Sequence, residues 1–177
     1  MAQTSDRDRW ILQDDAHLLS ECRVDTYRAS GPGGQKRNKT SSAVRLRHNP
    51  SGLMAIGEES RSQHENKARA LRRLRLVIAL QVRRPTGKEW TPPEVYLKYR
   101  TAAGRIEINP KNPDYAAVVA VVLDVVEGAR GVIKDAATRL GVHTAQLSRF
   151  LGKDGSVLAA VNAVRGKAGL KPLIRLR

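Results

Sequence analysis

The chain has 177 residues, 41% of them hydrophobic but only 4% aromatic, so Val, Leu, Ile and Ala must supply the packing of any core. Its net charge of +15, from 32 Lys and Arg against 17 Asp and Glu, is self-repulsion that a polyanion relieves, which puts nucleic acid ahead of a membrane surface as the partner. The single Cys22 excludes a disulfide framework and a cysteine metal cluster and fits a reducing, cytoplasmic setting, while the opening MAQTSDRDRW has the character of neither a signal nor a transit peptide.

In chain order, Trp10, Leu12, Leu18 and Leu19 predict a lead-in helix up to Cys22, and Arg23 to Tyr27 alternates as a strand. A glycine-rich basic stretch follows. Ser42 to His48 sets Val44, Leu46 and His48 against Ala43, Arg45 and Arg47, Asn49 to Gly52 is turn chemistry, and Leu53 to Ile56 completes a hairpin. From Glu65 to Leu80, Leu71, Leu74 and Ile78 recur at helical spacing, with Lys67, Arg69, Arg72 and Arg73 on a positive outer face suited to phosphate contact.

Residues 83–93, RRPTGKEWTPP, break every periodicity, and 94–108 leave short strands and an extended connector equally open. The run AAVVAVVLDVV at 116–126 spans 11 residues and includes Asp124, too short for a bilayer and right for a buried helix. IKDAATRLGVHTAQLSRFL has helix-turn-helix spacing, with Ala137 at the crossing, Gly141 at the turn, Leu147 and Phe150 inward, and Thr144, Gln146, Ser148 and Arg149 outward. The expected organisation is α+β. A small domain at 1–82 packs a short sheet on an amphipathic helix, 83–113 is a linker or short extended segments, and 114–177 is a helical, helix-turn-helix-like domain with a basic end. Charge is shared: residues 1–110 carry 21 basic against 12 acidic groups, and 111–177 carry 11 against 5.

The chemistry concentrates in RASGPGGQKRNKT, residues 28–40, within a stretch free of Asp and Glu from Thr26 to Gly57. Gly33 and Gly34 lack a Cβ and allow close approach to a crowded partner. Gln35 offers an amide that donates and accepts without titrating, so it positions a water instead of acting as a base, and its backbone N–H suits a developing oxyanion. That combination points to hydrolysis of an already activated acyl ester. His17, His48, His64 and His143 show no ligand spacing, and neither metal nor cofactor is expected.

The run RASGPGGQKRNKTSSAVRLRHNPSGL followed by ESRSQHENKARALRRLR resembles the catalytic GGQ domain of class I peptide chain release factors and their ribosome-rescue relatives. The likeness covers roughly residues 10–82. It implies hydrolysis of peptidyl-tRNA in the ribosomal peptidyl transferase centre, with Gln35 coordinating the attacking water and Gly33 and Gly34 permitting its approach. Arg28, Ser30, Lys39, Arg61, Gln63 and Lys67 would brace the loop or touch rRNA, and proton transfers would fall to substrate and rRNA hydroxyls. It also implies a glutamine methyltransferase acting on Gln35 as a partner.

Lys36 and Arg37 depart from the uncharged pair common in the family and add two charges to the loop base. With no room expected before residue 10 for codon-reading domains, the resemblance implies a codon-independent rescue hydrolase, here with a folded helical domain in place of a long basic tail. Two other readings stand beside it: a nucleic-acid-binding regulator whose helix-turn-helix reads DNA, and a ribosome-associated quality-control module without catalysis.

Overall fold

The computed structural model describes residues 6–28, 42–87 and 89–175. The chain divides into two compact units between Ile78 and Ala79. Among the described residues the fold is α+β, a three-stranded antiparallel sheet with eight helices, as the sequence predicts.

The lead-in is two helices instead of one, α1 (Arg7–Leu12) and α2 (Asp15–Ser20). Asp14 between them is extended, and its side chain accepts from the His17 backbone N–H at 2.8 Å, so it stops one helix and caps the next. β1 (Cys22–Tyr27), β2 (Ala43–His48) and β3 (Met54–Gly57) pair in sequence order. The register Tyr27↔Ala43 closes the β1–β2 ladder, and Val44↔Gly57 closes β2–β3. Val44, Leu46, Ala55 and His48 face the core, where His48 meets Trp10 edge-on at 4.9 Å.

α3 (Gln63–Gln81) starts where Ser62 Oγ accepts the Glu65 backbone N–H at 3.3 Å, an Ser-x-x-Glu N-cap. Its buried stripe is Asn66, Ala70, Leu71, Leu74 and Ile78. Gly57 lets β3 lie against this helix: a Cβ there would fall 2.1 Å from the Asn66 carbonyl oxygen.

In the second unit, residues 94–108 form neither a simple connector nor a sheet. They build α4 (Glu94–Leu97) and an isolated bridge, Arg100↔Ile106. Tyr96 is buried and donates its hydroxyl to the Leu140 carbonyl at 3.0 Å. α5 (Tyr115–Gly128) is buried continuously from Tyr115 to Val126, and Asp124 is satisfied by the Arg84 backbone N–H at 2.8 Å. α6 (Ile133–Leu140), α7 (Thr144–Gly152) and α8 (Gly155–Lys167) complete the unit. α5 packs on α6 and α8, and α7 on α6 and α8.

Candidate functional site at the β1–β2 connection

Residues 29–41, which include Gly33, Gly34, Gln35, Lys36, Arg37 and Lys39, lie outside the described residues. What the structure places is the frame from which that segment departs and to which it returns. Its two ends are a cross-strand pair, Tyr27 and Ala43, with Arg28 and Ser42 just beyond.

Asn66 secures the returning end. Its amide nitrogen donates to the Ser42 carbonyl at 2.7 Å and to the Ser60 carbonyl at 2.8 Å, and its oxygen accepts the Ser60 backbone N–H at 2.9 Å. Fully buried, it uses both donors and its acceptor. This residue came out of the sequence only as part of a resemblance. The signal that exposes it is a polar side chain in register with Ala70 and Leu74 on an otherwise apolar helix stripe, because such a group demands internal partners.

The departing end is held on the sheet's outer face. Tyr27 donates its hydroxyl to Glu58 at 3.4 Å, and the Arg45 guanidinium sits 5.8 Å over the Tyr27 ring while pairing with Asp25 at 3.0 Å. The Arg45 hydrogen bond holds the Asp25 carboxyl below its usual range.

The side chains expected to touch RNA separate into two groups. Gln63 and Lys67 lie within one helical turn of Asn66 in the first turns of α3, and Arg61 lies just before the helix. Arg28 and Arg61 are exposed, as is Arg72 farther along α3. Arg69 and Arg73 instead have carboxylate partners. Arg73 donates to the Ile56 carbonyl at 2.7 Å and binds Glu59, holding the Glu59 carboxyl below its usual range, while Arg69 reaches Glu59 at 3.8 Å and Glu65 at 3.5 Å. A phosphate would have to compete for these two.

Arg75, on the same helix, faces inward for a different purpose. It donates to the Ile11 and Gln13 carbonyls at 3.1 and 2.8 Å and pairs with Asp15 at 2.6 Å, tying the α1–α2 corner to α3. Burial pushes the Cys22 thiol up to about 11, which disfavours the thiolate, and its sulfur donates to the Leu18 carbonyl. No group of His, Cys, Asp and Glu suited to a metal ion occurs among the described residues.

Residues 18–95 match the RF-1 domain family. Over 56 residues the chain is 59% identical to peptide chain release factor 1 of Solidesulfovibrio magneticus, a stretch covering 32% of this chain and 16% of the relative. Peptide chain release factor 1 of Leptothrix cholodnii is 65% identical over 52 residues, covering 29% of this chain and 14% of the relative. Peptide chain release factor 2 of Paramagnetospirillum magneticum is 61% identical over 56 residues, covering 32% and 15%. The chain thus spans about 15% of the length of these relatives.

Proposed function

We propose that the chain, whose residues 18–95 match the RF-1 domain family, hydrolyses the ester joining nascent peptide to tRNA, on the ribosome and in the cytoplasm. The observation that carries this reading is the location of the Gly33-Gly34-Gln35 segment. It joins the paired ends of β1 and β2, inside the matched region, on a stem clamped by Asn66.

Gln35 positions the water; Gly33 and Gly34 let it approach the ester without steric conflict. Water oxygen bonds to the carbonyl carbon, the bond to the tRNA ribose oxygen breaks, and that oxygen takes a proton relayed through hydroxyls of the substrate and rRNA. Arg28, Arg61, Gln63 and Lys67 at the stem, with Lys36, Arg37 and Lys39, hold rRNA backbone; Arg72 extends that contact, and Arg69 and Arg73 join it by exchanging Glu59 for phosphate.

The finer proposal is release without stop-codon reading. Its support is the company the RF-1 domain keeps in this chain: the match ends at residue 95, and residues 111–177, a largely helical stretch, carry 11 basic against 5 acidic groups. Under the same reading the domains divide as 1–82, 83–113 and 114–177, and Gln35 is the substrate of a glutamine methyltransferase, detectable as one methyl mass increment on its tryptic peptide.

The test is single-turnover release of labelled peptide from ribosomes stalled with or without a stop codon, with free peptidyl-tRNA as control. Release from both ribosome types and none from free peptidyl-tRNA is expected. Gln35→Ala should slow it at least about tenfold with binding retained. Wild-type rates in that variant reject the catalytic assignment, and release only at stop codons rejects the rescue type.

A further inference from the structure

The C-terminal unit presents a surface that peptide release leaves unused. α6 ends in a Schellman motif: Gly141 sits at φ +68, its N–H reaches the Thr138 carbonyl at 3.2 Å, and the Val142 N–H reaches Ala137 at 3.0 Å. Ala136, Ala137, Leu140, Val142, Leu147 and Phe150 are buried, with Phe150 against Tyr115 at 6.4 Å. Small residues at the crossing, glycine at the turn and an inward second helix are the construction of a helix-turn-helix.

No carboxylate side chain occurs between Asp135 and Asp154, where Arg139, Arg149 and Lys153 fall. Arg139 is used internally, 5.8 Å over the Trp90 ring and bonded to the Gly87 carbonyl at 2.7 Å. Arg149 and Lys153 are exposed, and Arg149 makes only a 3.4 Å contact with Gln146 Oε1. Arg100 crosses the bare side of Gly141: a Cβ on that glycine would meet its Nη1 at 2.3 Å. A third cation therefore covers the turn.

We propose that the α7 face, with Gln146, Arg149 and Lys153 and with Arg100 at the turn, docks on the phosphate backbone of ribosomal RNA. The choice of RNA rests on the release reading above. A protein partner is disfavoured because no exposed large apolar side chain lies on α7 to form an interface core. The A-form major groove is too narrow for a helix, so the contact is with backbone phosphates, insensitive to sequence and sensitive to salt.

The experiment measures binding of the full-length protein to purified ribosomes across a salt series, with duplex DNA as competitor. Arg149→Ala with Lys153→Ala is compared with Lys167→Ala and Lys171→Ala, which remove equal charge from exposed positions at and beyond the end of α8. The first pair should weaken binding about tenfold and make the salt slope shallower by about 1.5, while release at saturating protein is unchanged. An unchanged slope, an equal effect from the control pair, or DNA outcompeting ribosomes overturns the proposal. Failure of release in the wild type strikes the hydrolase reading instead, because binding and release are scored separately.

Discussion

Gly57 and His48 show how single residues hold the frame of the candidate site. A Cβ on Gly57 would sit 2.1 Å from the Asn66 carbonyl oxygen and 3.2 Å from the Ala70 nitrogen, both backbone atoms of α3 that cannot rotate away. Gly57→Ala should therefore part β3 from α3 and destabilise the fold by about 3 kcal/mol, the upper end for an overpacked site, measured by urea unfolding. A loss within experimental error would show that the helix shifts freely. Burial pushes the His48 imidazole below its usual range, against the opposing effect of a hydrogen bond that its Nε2 donates to Glu21. Below about pH 6.5 the unfolded chain then binds the proton more readily than the folded one, so stability is full above that pH and falls as pH drops toward the folded value. His48→Gln should flatten the thermal midpoint between pH 7 and 5.5; an equal slope in the variant would assign it to other groups.

At the level of elements, the helices of the C-terminal unit are defined by how they end. α5 closes through Arg130 and Gly131 at φ +50 and +76, with Gly131 N–H on the Val126 carbonyl and Arg130 N–H on Glu127, both at 2.9 Å. Arg130 thus occupies a left-handed position that favours glycine. Arg130→Gly removes a strain of about 1–2 kcal/mol and adds about 0.5–1 kcal/mol of unfolded-state entropy, for a net gain of about 0.5–1 kcal/mol in denaturant unfolding. Gly141→Ala runs the opposite way. It incurs about 1–2 kcal/mol from the left-handed φ alone, because the atom its Cβ meets is the mobile end of Arg100. If that arginine resisted displacement, the measured loss would be larger.

For the whole molecule the governing quantity is the charge of +15, carried by both parts of the chain. Among the described residues many surface cations are already paired, as Arg9 with Glu21 at 2.8 Å and Lys98 with Asp114 at 3.0 Å. Such exposed pairs contribute little, and the remaining excess repels itself. Raising salt from about 20 to about 200 mM should therefore raise the melting temperature through screening, and a polyanion such as heparin should do so at low ionic strength. A melting temperature that falls with salt would mean that the ion pairs outweigh the repulsion. No helix among the described residues is long and apolar enough to cross a membrane.

Elements with strong local periodicity were legible without coordinates. The β2–β3 hairpin followed from alternation and its turn, α3 from Leu71, Leu74 and Ile78, α5 from its apolar run, and the α6–α7 pair from Ala137 and Gly141, because period and turn chemistry act over a few residues. Only the tertiary structure showed that Asn66 clamps Ser42 across 24 positions, that Gly57 exists for α3, that Arg75 is an internal brace while Arg72 is exposed, and that residues 94–108 fold around a buried Tyr96. Each of these depends on a partner distant in sequence, and a hydrogen bond or a van der Waals contact leaves no periodic trace along the chain.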